Sequence, residues 1–403
     1  MSNNSDNSDN SDNSDNSDNP DNSDDSDDSY ESQEEIDWQT HVVNNKYIIL
    51  NKLGSGSYCT VWNVYDIINK RYIAFKIYNT EDTDDAIAEK KTMDNIRKLK
   101  IPDIVLYESS FVYKYENNDY IIDIMPQYGY SLNDIKKLFR DTIYLPENKD
   151  IFTRYIEFIN NTKNKLDNIL NIMHSHNIAH TDIKPENILV DIPRLDTLII
   201  VEQIKDLHNK IKKKFNIKKI IDIIKQKSKD FLDKLSISQT DVCNYLNEFN
   251  YSIKLCDMGT TMEFNATEIY KKHTSYYKSP HIILKYPLDN KYDKWSLGCT
   301  LYELITSVVL FDPFEENLVE KYDDIEDLNL MYLITSTIGL PPENILNNTK
   351  VRDIFFTFDK LSLRFYNKLI FNPYIQNILN LVNDSNKKNM YELLTFITKS
   401  VSY

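Results

Sequence analysis

Glycine is scarce in this chain, with six in 403 residues, where ordinary usage of about 7% would give roughly 28. A sequence this poor in glycine is expected to keep one where the backbone needs it, so positions 54, 56, 129, 259, 298 and 339 become markers. Asn, Ile, Lys and Tyr are heavily used instead, the pattern left by an AT-rich coding bias. The four cysteines (Cys59, Cys243, Cys256 and Cys299) form no CxxC pair and no zinc spacing. This excludes a disulfide framework and a cysteine-based metal site, and points to a reducing compartment. No apolar run approaches the roughly 18 residues that a membrane span needs. The start lacks the basic and apolar regions of a signal peptide. Lys and Arg are absent from the first 37 residues, which hold 14 acidic side chains and so account for nearly all of the net charge of −15. The acidity therefore says little about the partners of the remainder.

What is present falls into three parts. Residues 1 to about 35 repeat Ser-Asp-Asn with almost no apolar side chains. Such a segment cannot bury enough surface to offset its ordering entropy, so a disordered tail over 1–37 is expected. Beyond it, β-branched and aromatic runs at Tyr47–Leu53, Thr60–Tyr65 and Tyr72–Tyr78 predict three antiparallel strands. A helix over 83–99 and a strand over 119–125 follow, and past Ser131 the pattern is mostly helical. The fold class expected is α+β in two lobes, with 38–128 the small β-rich lobe and 129–403 the large helical one. A Lys-rich stretch at about 191–250 interrupts the large lobe with a net charge of +3. Within it Ile204, Leu207, Ile211 and Phe215 keep helical spacing. Its run Lys210–Lys219 reads first as a solvated helix face, with an anionic-partner or nuclear-localisation patch as the sharper alternative.

Six segments carry polar chemistry at a density that packing does not require. Leu53, Gly54, Ser55, Gly56, Ser57, Tyr58, Cys59, Thr60 and Val61 form a glycine-containing turn between two predicted strands, where backbone amides can approach phosphate oxygens. Ala74 and Lys76 lie on the third strand, and a lysine in so apolar a strand needs a partner, for which Glu89 on the next helix is placed. The segment His180-Thr181-Asp182-Ile183-Lys184-Pro185-Glu186-Asn187 directly precedes an apolar strand. Cys256-Asp257-Met258-Gly259 follows another short apolar strand. Last come Thr274 to His281 and the helix start Asp293 to Gly298. A single GxG or DxG is weak, since each is common in turns. Their order along one chain is not.

Residues 38 to about 380 together resemble the eukaryotic protein kinases, and within them the SR-protein kinases of the CMGC group. Three features carry the closer likeness: His-Thr-Asp at 180–182, Cys59-Thr60-Val61-Trp62 without a third glycine, and an insert before Asp257. The LAMMER-type dual-specificity kinases share His-Thr-Asp and remain the neighbouring alternative. The resemblance implies ATP and Mg²⁺ as cofactors. Lys76 would grip the α- and β-phosphates and Glu89 would orient it. Asp182 would accept the proton of the substrate hydroxyl, Lys184 would stabilise the transferred group, and Asn187 with Asp257 would hold the metal. The loop from Leu53 to Val61, with Ala74, Met125 as gatekeeper and Leu189, would line the nucleotide pocket, Pro126 to Gly129 forming the hinge. It further implies a monomeric intracellular enzyme, cytoplasmic or nuclear, acting on protein substrates that are Arg/Ser-rich, with no nucleic acid or membrane partner.

The sequence departs from that pattern at three places. Cys59 stands for the third glycine. His281 replaces a glutamate that normally pairs with a distant arginine, and no arginine stands at the expected motif, so both ends of that pair are expected to be lost together. Thr181 replaces the arginine that would bind an activation-loop phosphate, which predicts activity independent of phosphorylation at Thr267 or Tyr270. A pseudokinase scaffold would lack at least one of Lys76, Glu89, Asp182, Lys184, Asn187 and Asp257, and all six are here. A small-molecule kinase would not need the substrate-positioning segment at 274–281.

Overall fold

The β-branched runs that open the globular part pair into one antiparallel sheet in the computed structural model of the chain. The structure describes residues 36–39, 41–56, 58–140, 149–192, 251–264, 266, 273–314, 325–348 and 387–402. The chain divides into Met1–Trp38 and Gln39–Tyr403, and everything below lies in the second unit. The expected tail, Ser57, Thr267, Tyr270 and nearly all of the Lys-rich insert with its helix and its lysine run fall outside the described residues.

The sheet contains β1 (Val42–Val43), β2 (Tyr47–Ser55), β3 (Cys59–Asp66), β4 (Arg71–Tyr78), β5 (Ser109–Tyr115) and β6 (Asn118–Pro126), in the spatial order β1-β2-β3-β4-β6-β5. Helix α1 (Thr83–Leu99) crosses from β4 to β5. Its acidic first turn (Asp84, Asp85) and basic last turn (Arg97, Lys98) both suit the helix dipole. The strands and α1 fall where the apolar pattern predicts them. β5 does not register in that pattern, because its residues are at best half-buried and Val112 is exposed.

Beyond β6 the chain turns helical. Helix α2 (Leu132–Phe139) opens on a capping box, the Ser131 hydroxyl accepting from Asp134 N and the Asp134 carboxylate accepting from Ser131 N. Helix α3 (Lys149–Ser175) buries Phe152, Ile156, Ile159, Leu166, Leu170 and Met173 at helical spacing. Then come β7 (Ile178–Ala179), β8 (Ile188–Asp191), β9 (Ser252–Leu255), β10 (Met262–Glu263) and a short helix α4 (Pro280–Ile283). Helix α5 (Lys291–Thr306) is buried on all faces, and α6 (Ile325–Ile338), α7 (Glu343–Asn348) and α8 (Lys387–Ser400) follow. One apolar cluster runs from Ala74 and Met93, next to the sheet, through α3 and α5 to Val401.

Two glycines answer to this packing. A Cβ on Gly298 of α5 would lie 2.8 Å from Val401 Cγ1 and 2.9 Å from Ser400 Cβ, so α8 can pack there only against a bare backbone. At Gly129 it would lie 2.1 Å from the carbonyl oxygen of Ile192. At Gly54 and Gly56 a Cβ would meet nothing within 4 Å, so the protein's own packing makes no demand on these two.

Candidate active site

Strand parity and one helix place the first part of the site. Lys76 sits in β4 opposite Val61 of β3 and Asp123 of β6, and only 7% of it is exposed. Its ammonium donates to both oxygens of Glu89, at 2.6 and 2.7 Å, and to Asp257 Oδ1 at 3.2 Å. Glu89 is buried on the inner face of α1, the face that packs on the turn Met258–Thr260. Burial works against the charge on Lys76, but Asp257 and Glu89 outweigh it and hold its pKa well above the usual lysine range. Lys76 in turn holds the Asp257 carboxyl below the usual range against its burial. The Tyr78 hydroxyl, on the same strand face as Lys76, lies 3.2 Å from a Glu89 oxygen and 3.2 Å from an Asp123 oxygen. Tyr78 and Asp123 carry no motif in the sequence; the period-two spacing from Lys76 to Tyr78 is the signal that could have exposed the first.

The glycine-containing hairpin closes above this pair. Gly56 N donates to the Cys59 carbonyl at 2.9 Å, and Cys59 lies opposite Tyr78. Burial raises the Cys59 thiol to about 11, with Lys76 opposing, so it stays protonated and is no nucleophile near neutral pH. Ala74 and Met125 face each other in the β4–β6 register and belong to the central apolar cluster, against which Leu53, Val61 and Leu189 also pack. Five of the residues expected to line a nucleotide pocket, Leu53, Val61, Ala74, Met125 and Leu189, thus share one apolar cluster.

Pairing of β8 with β9 sets Ile188 opposite Leu255, and the Cys256 amide then donates to the Asn187 carbonyl at 3.0 Å, one residue before Asp257. Asp182 is almost fully buried. Its Oδ1 accepts from the Thr274 hydroxyl at 2.9 Å, and its Oδ2 accepts from Lys184 Nζ at 2.7 Å and Asn187 Nδ2 at 2.9 Å. Lys184 also donates to Thr274 Oγ1 at 2.7 Å, closing a ring of three side chains. Asn187 Nδ2 has the Asp182 carbonyl as a second acceptor at 2.9 Å, which commits the amide nitrogen and leaves the amide oxygen out of these bonds. Asp257 itself has a left-handed backbone, φ 66°, at the position just before the turn Met258–Thr260, a region that Asp enters more readily than most residues. Thr274 was expected only as part of a positioning segment; its hydroxyl proves to touch both Asp182 and Lys184.

The supports of this loop come from α5. Fully buried Asp293 accepts from His180 N and Thr181 N, each at 2.9 Å, and lies 2.7 Å from His174 Nε2. His180 gives Nε2–H to the Cys256 carbonyl at 3.0 Å and takes the Asp182 amide on Nδ1 at 3.2 Å, which fixes one ring tautomer. Thr181 has φ 71°, costly for a β-branched residue, and its hydroxyl donates to the Thr260 carbonyl at 2.6 Å. The position that the sequence marks as a lost phosphate ligand is thus a direct tie to the segment after Asp257. His281 is buried beside Tyr286, its ring nitrogen 3.3 Å from the Ser279 hydroxyl. Burial pushes its pKa down, so a neutral ring fills the place of a carboxylate and needs no arginine there.

The family model for the protein kinase domain matches residues 47–353. The chain is 23% identical over 286 residues to the Schizosaccharomyces pombe serine/threonine-protein kinase prp4, covering 70% of this chain and 46% of that protein. It is 27% identical over 278 residues to a probable serine/threonine-protein kinase, clkA, of Dictyostelium discoideum, covering 67% of this chain and 26% of the other. Against the Physarum polycephalum serine/threonine-protein kinase SRPK it is 27% identical over 343 residues, covering 81% of this chain and 75% of that one. The chain thus spans about half or less of the length of the first two. Among the described residues no helix is long and apolar enough to cross a membrane.

Proposed function

This chain belongs to the protein kinase family, and we propose that it is an active serine/threonine kinase, transferring the γ-phosphate of ATP to protein hydroxyls. The observation that carries the reading is the closed ring of Asp182, Lys184 and Thr274, with the Asn187 amide nitrogen held on Asp182 and Lys76 bonded to Asp257. Family members generally use ATP and Mg²⁺. Asn187 and Asp257 fit the metal as hard oxygen ligands. When bound, Mg²⁺ would neutralise phosphate charge. Asp182 takes the proton of the incoming hydroxyl and orients its oxygen. Lys184, poised on Asp182 and Thr274, meets charge that develops on the transferred group. Lys76, kept charged by Glu89, holds the phosphates, and the open space over Gly54 and Gly56 lets the hairpin backbone come close to them.

Two finer points belong to the same reading. Activity is constitutive, because Thr181 ties the loop to Thr260 without any phosphate ligand. The substrate class is Arg/Ser-rich protein, by the likeness to a kinase named SRPK. Arrayed peptides with labelled ATP test the substrate: efficient labelling of Arg-Ser peptides is the expected result, and a preference for acidic peptides overturns it. Phosphatase-treated protein, and the alanine variants of Thr267 and Tyr270, should keep their turnover. Loss of activity in either would end the constitutive reading.

A further inference from the structure

Lys76 on β4, Asp123 on β6 and Ser110 on β5 lie in register across one face of the sheet. Residues directly opposite in antiparallel strands share a face, and two consecutive residues of α1 meet this row. Glu89 takes the Lys76 ammonium. Next to it, Lys90 donates to the Ser110 hydroxyl at 2.7 Å and stands 3.7 Å from Asp123 Oδ1. The charges therefore alternate, with Lys76 on Glu89 and Lys90 on Asp123. Between the two pairs the Tyr78 hydroxyl lies 3.2 Å from an oxygen of each carboxylate.

Phosphotransfer as described uses only the first of these pairs. Asp123 is fully buried, and its Oδ1 has no hydrogen-bond partner among the described residues. A buried carboxylate is costly unless a cation or several donors answer it. Among the described residues Lys90 alone forms an ion pair with it. Tyr78 adds a single proton, kept on its oxygen because burial raises its pKa far above the usual range, against the opposing charge of Lys76. One hydroxyl hydrogen can serve only one of the two carboxylates at a time. Asp123 thus depends on a side chain of α1, the helix that also delivers Glu89 to Lys76. A movement of α1 off the sheet would part both ion pairs together and take Glu89 from the Tyr78 hydroxyl.

We propose that Asp123 and Lys90 are positioning residues for phosphotransfer, a second ion pair that clasps α1 to the sheet and keeps Glu89 on Lys76 when no nucleotide is bound. The inference rests on the kinase reading and adds to its regulation, since a helix clasped at two points needs no partner protein to seat it. Neither residue touches the reacting atoms. Their effect reaches the chemistry through Lys76, which meets the phosphates only in the position that Glu89 gives it.

The test uses the full chain with Asp123→Asn, which keeps the shape, and Lys90→Met, at a side chain 24% exposed. In each, the KM for ATP should rise about tenfold while kcat at saturating ATP stays within about threefold, because bound nucleotide draws Lys76 and α1 back into place. The double variant should be no worse than the worse single one, since both remove the same interaction. Lys90→Arg should restore the wild-type KM. Hydrogen exchange without nucleotide needs no turnover. Amides of residues 84–99 should exchange faster in both single variants, and those of α3 and α5 should not change. That result beside a wild type without phosphotransfer would keep the clasp and reject the kinase reading. Unchanged exchange over 84–99 overturns the proposal, as do additive losses in the double variant or a fall in kcat with KM unaltered. Failure of both single variants to fold also overturns it, since the pair would then serve the core alone.

Discussion

Lys76 and Glu89 are joined twice, Nζ lying 2.6 and 2.7 Å from the two carboxylate oxygens, although one stands on a strand and the other a turn into the next helix. The pair fixes where α1 sits against the sheet and where Lys76 can point. Asp257 completes it from the other side. Glu89→Gln removes the charge, keeps the shape and leaves a buried ammonium half-paired. With Lys76 no longer held by a full charge, kcat/KM at limiting ATP should fall roughly a hundredfold. Steady-state kinetics with ATP varied should show that loss with the fold intact by circular dichroism.

Thr274 bridges Asp182 and Lys184 through one hydroxyl. Thr274→Val should lower kcat by about 10- to 100-fold while the KM for ATP stays within about twofold, because ATP contacts lie elsewhere. Thr274→Ser should restore most of the rate, since the hydroxyl and not the methyl group makes both bonds.

Much of this was legible in the sequence because the chemistry is packed into short runs. The segment 180–187 shows its polar density directly, and Lys76 is conspicuous in an apolar strand. The helix at 83–99 is marked by charge as well as by period. What stayed hidden depends on contacts between distant residues. Tyr78 and Asp123 are ordinary strand residues until the sheet forms and sets the Tyr78 hydroxyl between Glu89 and Asp123. Thr181 reads as a defect until its hydroxyl is seen on Thr260. Scarcity of glycine marks a packing need at Gly129 and Gly298, where backbone and α8 press in, while at Gly54 and Gly56 the protein's own packing leaves the space open.

Thr181 carries its cost and its bond in one residue. Thr181→Val keeps the branched side chain at φ 71° and loses the hydrogen bond, and should destabilise the fold by about 1 to 2 kcal/mol. Thr181→Gly loses the same bond but relieves a strain of about 1 kcal/mol or more, so its stability should stay close to wild type. Urea unfolding of the two variants checks the order.

His281 should make the protein acid-sensitive. Its folded pKa is depressed by burial, so the stability it confers is fully present above the unfolded value near 6.5 and is lost as pH falls through that value towards the folded one. Lys76 is raised and Asp257 is lowered, so their pair keeps its charges across the neutral range and contributes no pH dependence there. Tm should therefore fall between pH 7 and pH 5 more steeply in the wild type than in His281→Gln. Parallel slopes would assign the acid loss to other groups.

Gly298→Ala places a methyl group against Val401 and Ser400 and should cost about 1 to 3 kcal/mol. Adding Val401→Ala should recover part of the loss, because the closest clash is with the valine methyl. A double variant no better than the single one would mean that α8 does not pack on α5 as described.

The central claim is that Asp182 takes the substrate proton in a complete phosphotransfer site. Asp182→Asn keeps the shape and most of the bonds to Thr274, Lys184 and Asn187 but cannot accept a proton. Transfer of labelled γ-phosphate from ATP to a serine peptide, followed in wild type and Asp182→Asn with matched folding, measures it most directly. The account predicts clear transfer by the wild type and a rate about a thousandfold lower in the variant. Equal rates in the two proteins would contradict it.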